Sequence, residues 1–530
     1  MSGLILFCGI VILSCIVTNK FSSKLGMPAL LFFMFLGILF GSDGLLKLSF
    51  EDYDLTAKLC SLGLIFIIFY GGFCTKKIDS VKTNAQAIIL SSIGTILTAL
   101  FTSAFCYLIL KISFAESFLI GAIISSTDAA SVFSILRSRR LNLKYSTAPI
   151  LEMESGSNDP FAYMLTLLGI ILLKGANAAD LTPMLFTQLG FGVLFGILTA
   201  LIAIYIFKKT RLLTEGTDVL FVIAVALLSF SIPDLIGGNG FLSVYITGII
   251  LGNSDIKNKI NLIYFFDGLT ALAQVIIFFL IGFLSFPHKI PDILFTAVCI
   301  TLFLTFIARP LAVFAVLAPF KAKMNQIAFV SAAGLRGAAS IVFAIMVVAE
   351  SELLRNDLFH IVFVVALLSV AFQGTILPYL AKKWDMIDKF ADVRKTFNDY
   401  QQESAISLNT INVTETHPWN GTYLKEISLN NKALILQITR GEDKVVPRGD
   451  TQLLAGDSVL IGTSVEQAQS DIRLCETFID DTHEWKDKRI SFLNCPDNFL
   501  IALIKRDGVS FVPNGKTVLK LGDTVVFYAS

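Results

Sequence analysis

Three acidic side chains and two arginines lie within stretches of sequence that are otherwise apolar enough to be buried in lipid. The acids are Asp128, Glu154 and Asp159, and the arginines are Arg309 and Arg336. An ionisable side chain near the centre of a bilayer costs roughly 3 kcal/mol or more, so such residues are rare outside functional sites. We therefore expect these stretches to line a path for ions.

Two of the acids belong to the run Glu-Ser-Gly-Ser-Asn-Asp, residues 154–159, which proline follows. In a helix, residues four apart share a face, so Ser155 stacks with Asp159 and Glu154 stacks with Asn158. The proline cannot donate to the carbonyl four residues earlier, and that freed oxygen adds a hard ligand suited to an alkali cation. One carboxylate beside neutral oxygens can hold a proton or a monovalent cation. Helix packing with an arginine is the alternative for Asp159 and the preferred interpretation for Glu154.

Two runs of small and hydroxyl residues surround the other buried charges. Residues 125–131 contain Asp128, and residues 334–340 contain Arg336 between two glycines. Small residues let helices approach closely, which alone could explain both runs. The same composition suits a locally unwound segment that faces a protein-lined cavity, and the buried charges favour this interpretation. We predict a crossing pair of interrupted helices whose half-helix ends are compensated by opposite charges.

The composition indicates an integral membrane protein: 530 residues, 55% hydrophobic, 16% charged, with a mean hydropathy of +0.73. About thirteen apolar spans are long enough to cross a bilayer. They are predicted at 3–19, 28–46, 57–73, 85–110, 115–136, 147–173, 184–207, 218–236, 239–252, 262–286, 293–318, 326–349 and 357–381. Basic residues favour alternate loops by about three to one, which predicts an N-terminus outside the cell membrane and a cytoplasmic C-terminal tail.

The sequence lacks the motifs that are typical of other classes of membrane protein. A potassium channel needs a filter such as Thr-Val-Gly-Tyr-Gly, which this sequence does not contain. The eight cysteines and four histidines are scattered, so we expect no resident metal, cofactor or nucleophilic catalytic centre. A gated cation channel and a non-transporting sensor remain the alternatives from a different class.

The charged runs, taken together in this order, resemble the monovalent cation/proton antiporters of the NhaP and NHE type. The matching motifs are Thr127-Asp128, Glu154-Ser155 with Asn158-Asp159, and Gly334-Leu335-Arg336-Gly337. The resemblance covers about residues 1–381. It implies a homodimer in the cell (inner) membrane with inverted repeats, two crossed, broken helices and no nucleic-acid partner. One departure is Ala129, where many relatives have proline.

The resemblance also implies a role for each motif residue. Asp159 would be the shared carboxylate for proton and cation, and Asn158 would be its neutral neighbour, which suggests electroneutral exchange. Thr127 and Ser155 would contribute oxygens to the ion. Asp128 and Arg336 would neutralise the helix crossover, and Glu154 would pair with Arg309. Because burial disfavours a charged carboxylate, a proton and a cation would compete for Asp159, and an empty, charged site would cross poorly.

A soluble tail follows the spans. It has about 16 basic and 21 acidic residues, against about 26 and 20 before it. A 66-residue period relates Arg440, Val446-Pro447 and Gly456-Asp457 to Arg506, Val512-Pro513 and Gly522-Asp523. We predict two α/β units after a linker.

The first tail unit resembles the C-terminal domain of potassium-conductance regulators, called RCK-C or TrkA-C. The predicted boundaries are 1–383 for the membrane domain, 384–402 for the linker, 403–465 for the RCK-C domain and 466–530 for a degenerate second unit, recognisable from Leu500 onward. The resemblance implies sensing of a small ligand, which in some relatives is cyclic di-AMP; aiding dimerisation is the alternative. Such tails accompany potassium systems, so K⁺ is favoured over Na⁺ as the partner of H⁺.

Overall fold

Apolar helices build the first of the two units into which the computed structural model divides, Met1–Ile387, and the second unit is Asp388–Ser530. Through the first unit and the first residue of the second, the structure describes residues 6–388 except 8, 18–28, 46, 49, 76–79, 139, 140, 142, 176, 177, 210–215, 255, 257, 351 and 352. In the second it describes residues 407–413, 417, 419–427, 433–440, 443–463, 474–480, 483–493, 499–506 and 509–529. Most of the predicted linker, 389–402, lies outside these ranges.

The first unit begins with a helix over residues 9–17. The helices that follow are α1 (Ala29–Phe40), α2 (Tyr53–Cys74), α3 (Val81–Leu108), α4 (Phe114–Ile123), α5 (Ala129–Ser138), α6 (Thr147–Leu173), α7 (Ala178–Lys209), α8 (Thr217–Leu235), α9 (Gly240–Gly252), α10 (Lys259–Phe283), α11 (Pro287–Leu317), α12 (Met324–Ala332), α13 (Ala338–Glu350) and α14 (Leu358–Lys383). Within the described residues, eight of them are long and apolar enough to cross a membrane: α2, α3, α6, α7, α8, α10, α11 and α14. The helical membrane domain is therefore confirmed, and the count of thirteen spans stays a prediction.

Both predicted interruptions are present. The fifth predicted span is divided between α4 and α5, with residues 124–128 non-helical between them, which we call the first break. The twelfth is divided between α12 and α13 by residues 333–337, the second break. Each break coincides with one of the runs of small residues that surround a buried charge.

Glycines bring α9 into backbone contact with its neighbour α2. A Cβ added at Gly248 would lie 2.5 Å from the Phe69 carbonyl oxygen, and one added at Gly72 would lie 2.5 Å from the Tyr245 carbonyl oxygen. The two backbones are too close to leave room for a side chain at either position, as is common where membrane helices pack on small residues. The two helices are therefore held together along their backbones.

The second unit contains two four-stranded antiparallel sheets. Their strands are β1 (Ser407–Asn412), β2 (Ala433–Arg440), β3 (Asp443–Val445), β4 (Asp457–Thr463), β5 (Leu474–Phe478), β6 (Phe499–Arg506), β7 (Val509–Phe511) and β8 (Thr524–Ala529). The order is β1-β4-β2-β3 in one sheet and β5-β8-β6-β7 in the other, so the two copies share one topology. The described residues of this unit form strands, short 3₁₀ turns and connecting loops, and among them no α-helix accompanies the strands of the predicted α/β units.

The sequence alone shows the second copy only from Leu500 onward, and the structure extends the repeat upstream of that residue. The rings of His417 and Trp419 lie 5.2 Å apart, and those of His483 and Trp485, 66 residues later, lie 5.1 Å apart. The 3₁₀ turn Leu424–Glu426 likewise recurs as Ile490–Phe492. The duplication therefore covers whole units.

An apolar seam joins the two sheets. It is formed by Leu436, Ala502, Leu503 and Val526, with Leu434, Leu460, Leu500 and Val512 packed against them. Three pairs in this set, 434 with 500, 436 with 502 and 460 with 526, are equivalent positions of the repeat. The two copies thus meet through the same face of each sheet.

Candidate ion-binding site

Asp159 lies on α6, where the helix passes the first break. The Ser126 hydroxyl, in the break, donates to Asp159 Oδ1. Asp159 is partly exposed, whereas its neighbour Asn158 is fully buried. Solvent can therefore reach the Asp159 side of α6, while Asn158 points into protein.

Three hydrogen bonds join α6 to the first break and to the start of α5. The Ser155 hydroxyl donates to the Thr127 carbonyl oxygen at 2.8 Å, and the Asn158 amide donates to the Thr127 hydroxyl at 2.5 Å. The backbone N–H of Ala129 donates to the Ser155 hydroxyl oxygen at 2.8 Å. A proline at position 129 would lack this donor, so the departure from the family pattern adds a contact between α5 and α6.

The amide oxygen of Asn158 is a candidate ligand for a cation. Within the described residues, its buried amide oxygen Oδ1 has no hydrogen-bond partner. A buried polar atom without a hydrogen-bond partner destabilises the folded protein by about 1 to 3 kcal/mol. Since this oxygen lies one residue from the Asp159 carboxylate, a cation bound there would give it a partner.

α6 continues as a helix through Pro160. The proline lacks an N–H, so the carbonyl of Gly156 loses its usual donor, as the sequence predicts. The carbonyl oxygen of Pro160 itself accepts a hydrogen bond of 2.9 Å from the Asn239 amide at the start of α9. The proline turn of α6 is thus tied to α9 as well as to the first break.

Arg336, in the second break, compensates the end of α4. Its Nη1 donates to the carbonyl oxygens of Ser125 and Ser126 at 2.8 and 2.9 Å. These carbonyls lie just beyond the last turn of α4, where the helix dipole is negative. The guanidinium therefore supplies positive charge where the interrupted helix needs it.

Asp128 compensates the opposite end of the break. Its carboxylate accepts from the backbone N–H of Ser131 at 3.2 Å and from the Ser131 hydroxyl at 2.5 Å, which caps the start of α5. Its own backbone N–H donates to the carbonyl of Leu335 at 2.8 Å. A Cβ added at Gly337 would lie 2.4 Å from the Asp128 Cβ, so this glycine gives Asp128 its place beside the start of α13. The two breaks are therefore in direct contact.

Glu154 and Arg309 form a buried ion pair between α6 and α11. Arg309 Nη2 lies 2.6 Å from Glu154 Oε1, and their side chains are 2% and 1% exposed. The contact is not aligned as a hydrogen bond, so the attraction is mainly that between two opposite charges. A Cβ at Gly334 would lie 2.9 Å from Arg309 Nε, which places the arginine against the second break.

Sequence reasoning missed several polar residues at the site. Ser126 is in the small-residue run, which was the available signal, but its contact with Asp159 depends on how the chain folds back. Three others form a chain behind Arg336. The backbone N–H of Arg336 donates to the Ser369 hydroxyl oxygen, the Ser369 hydroxyl donates to Gln373 Oε1, and the Gln373 amide donates to the Thr305 hydroxyl. These three polar residues occur singly in apolar helices, and no local pattern identifies them.

A partly exposed carboxylate beside two compensated helix breaks is the arrangement of a secondary transporter that binds ions at the crossing of broken helices. The model of the transmembrane sodium/hydrogen exchanger family matches residues 9–383, and the TrkA-C domain matches residues 410–471. The chain belongs to the sodium/hydrogen exchanger family and carries a TrkA-C domain. It is a transporter and not an enzyme.

Several named relatives are similar over most of their length. The chain is 30% identical over 463 residues to the "K(+)/H(+) antiporter NhaP" of Alkalimonas amylolytica, covering 86% of this chain and 80% of that one. It is 30% identical to the "K(+)/H(+) antiporter NhaP2" of Shewanella sp. (strain ANA-3), covering 84% and 78%. The "Na(+)/H(+) antiporter 1" of Methanocaldococcus jannaschii is 26% identical over 367 residues.

The fold is also similar to that of a solved antiporter. The sodium proton antiporter MjNhaP1 from Methanocaldococcus jannaschii superimposes with a TM-score of 0.62 at 24% identity, covering 70% of this chain and 99% of that one. At this identity the likeness concerns the fold alone. The membrane unit therefore has the architecture of a proton antiporter.

Proposed function

We propose that this chain exchanges K⁺ for H⁺ across the cell membrane, one ion for one proton, at Asp159. The observation that carries the proposal is the position of the partly exposed Asp159 carboxylate, which contacts the first break through Ser126 and has the neutral Asn158 beside it. The names of the relatives in Alkalimonas and Shewanella favour K⁺ as the cation.

Competition for one carboxylate couples the two fluxes. A proton neutralises Asp159, and so does a bound monovalent cation, but an empty carboxylate carries its charge into a region where desolvation is costly. The site can move between the two sides of the membrane when Asp159 holds a proton or a cation, and it moves poorly when Asp159 is empty and charged. Because Asn158 is neutral, the site carries the same net charge with either occupant, which makes the exchange electroneutral.

The oxygens around Asp159 assemble the cation site. Asn158 Oδ1 is available in this state, whereas the Thr127 carbonyl and the Ser155 hydroxyl bond each other. An arriving cation would take Asp159 and Asn158 first. It would reach the Thr127 and Ser155 oxygens by exchanging that hydrogen bond for coordination. Asp128, Arg336, Glu154 and Arg309 would hold the breaks and α6 in place without binding the ion.

The assembly and its orientation form the second part of the proposal. The chain would function as a homodimer with its N-terminus outside and its tail in the cytoplasm, where the TrkA-C unit would bind a small ligand such as cyclic di-AMP. The domain boundaries would be 1–383, 384–402, 403–465 and 466–530. Attachment of fluorescent tags to each terminus, with quenching from outside intact cells, would test the orientation, and a quenched C-terminal tag would contradict it.

The test of exchange is proton flux in proteoliposomes, followed by a pH-sensitive dye while K⁺, Na⁺ or Li⁺ is added. We expect K⁺ to dissipate the pH gradient equally with and without a voltage clamp, and Asp159→Asn to abolish the response. Asp234→Asn is the matched control, because it removes a carboxylate at the end of α8 and leaves the site intact. Transport by Asp159→Asn at the wild-type rate would contradict the site, and a flux that changes when the voltage is clamped would contradict electroneutrality.

Na⁺/H⁺ exchange is the second candidate, since the relative in Methanocaldococcus jannaschii is named as a Na⁺/H⁺ antiporter. A carboxylate with amide, hydroxyl and carbonyl oxygens suits either alkali cation. The sodium arm of the same assay decides between them. A response to Na⁺ alone would replace K⁺ in the proposal and leave the role of Asp159 unchanged.

A further inference from the structure

Tyr245 contacts the ion-binding helix from a helix that the sequence analysis had given no role. It lies on α9, which glycines join to α2 and which also contacts α7. The Thr247 hydroxyl donates to the Gly196 carbonyl at 3.0 Å, and a Cβ at Gly196 would lie 2.9 Å from the Ser243 carbonyl oxygen. The backbone of Tyr245 is therefore fixed between two other helices.

The ring of Tyr245 rests on α6 at Gly156. A Cβ added at Gly156 would lie 2.6 Å from Tyr245 Cε2 and 3.1 Å from its hydroxyl oxygen. Gly156 is three residues before Asp159, so the ring covers the same side of α6, one turn from the carboxylate. Tyr245 is only 3% exposed, so neighbouring side chains restrict its rotation.

The hydroxyl of Tyr245 lies in polar surroundings and has no well-aligned partner. Within the described residues it makes no hydrogen bond that meets normal geometry, although the hydroxyls of Ser157 and Thr75 are its neighbours. Glu152 and Asp159 both lie on α6, on either side of Gly156, against which the ring packs. Those two acids are seven residues apart on α6, about 10 Å along the helix. The hydroxyl thus lies between the site and the end of α6 that carries Glu152.

We propose that Tyr245 is a positioning residue for exchange that closes the path between Asp159 and the Glu152 end of α6. Its ring fills the space that Gly156 leaves open, and its buried hydroxyl gives a passing cation a polar contact. Movement of α6 past α9 during exchange then requires the ring to leave Gly156. The inference rests on the proposed function, because it assumes that a cation reaches Asp159.

Three variants and one combination test the role in proteoliposomes, with the cation to which the wild type responds. Gly156→Ala places a methyl group where the Tyr245 ring lies, so we expect a lower exchange rate because the ring can no longer seat against α6. Combining it with Tyr245→Ala removes the ring, and we expect the rate to return to that of Tyr245→Ala alone. Tyr245→Phe keeps the ring and removes the hydroxyl, so we expect it to raise the KM for the cation while Vmax stays near the wild-type value.

The split between KM and Vmax separates this role from mere helix packing, which would lower Vmax and thermal stability together. Tyr245→Leu serves in place of Tyr245→Ala if the smaller side chain prevents folding. The inference is overturned if Tyr245→Phe leaves KM unchanged, or if the double variant is no faster than Gly156→Ala. Absence of exchange in the wild-type protein would instead refute the proposed function, so the two failures are distinguishable.

Discussion

Removal of one partner of the Glu154–Arg309 pair should destabilise the membrane unit strongly, and removal of both should cost much less. The side chains are 1% and 2% exposed, so neither charge can be hydrated when the other is lost. Breaking a buried pair in this way costs about 3 to 5 kcal/mol, whereas replacing both partners is often close to neutral. We therefore expect Glu154→Gln and Arg309→Gln each to lower the free energy of unfolding by that amount, and the double variant to lose less than either.

Denaturant titration of the purified protein in detergent micelles measures these free energies in a double-mutant cycle. Lys58 and Asp54 supply a matched control, because their charged atoms are 2.5 Å apart while their side chains are 71% and 67% exposed. An exposed pair of this kind contributes about 0 to 1 kcal/mol, so Asp54→Asn should change stability little. If the double variant loses as much free energy of unfolding as the two single variants added together, the two side chains are not coupled, and the reasoning from burial is wrong.

Three further predictions concern the breaks and the tail. Gly337→Ala should abolish exchange and lower the yield of folded protein, measured by size-exclusion chromatography, because its methyl group would meet the Asp128 Cβ at 2.4 Å. Arg440 donates two side-chain hydrogen bonds of 2.8 Å to the Asp457 carboxylate, and these hold the pKa of Asp457 below its ordinary value. The stabilising contribution of Asp457 is therefore complete above about pH 4 and is lost as pH falls through the lowered value. Asp457→Asn should remove this contribution from the acid sensitivity of the tail's tryptophan fluorescence, while the contribution of the equivalent Asp523, whose pKa the bonds from Arg506 lower against the effect of burial, should remain. Cysteines at Leu436 and Ala502 should form a disulfide within one chain, and a covalent dimer on a non-reducing gel would contradict this arrangement.

The interrupted helices could be predicted from the sequence because two signals coincide at each break, a run of small residues and a buried charge. Asp128 and Arg336 each lie among small residues, and a buried charge needs a partner that a regular helix backbone does not offer. Both breaks fall where these runs occur. Hydropathy alone would have given two continuous spans.

The contacts of the site could not be predicted from the sequence. Ser126 and Asp159 are 33 residues apart, and Tyr245 meets Gly156 across 89 positions, so both contacts depend on how whole helices pack. The upstream part of the tail repeat was missed for a different reason. The ring pair of His483 and Trp485 repeats an earlier pair, but few of the residues around it are identical in the two copies.

The seam between the two tail units bears on how the tail can act. Its equivalent pairs, among them 436 with 502 and 460 with 526, place matching faces of two matching sheets against each other within one chain. A protein with a single copy would need a second subunit to cover that face, because an exposed apolar patch of this kind favours association. Here the second copy covers it, so this face is not available for contact between subunits. A ligand that alters the pairing would then act on each chain separately, and any dimer contact must use another surface.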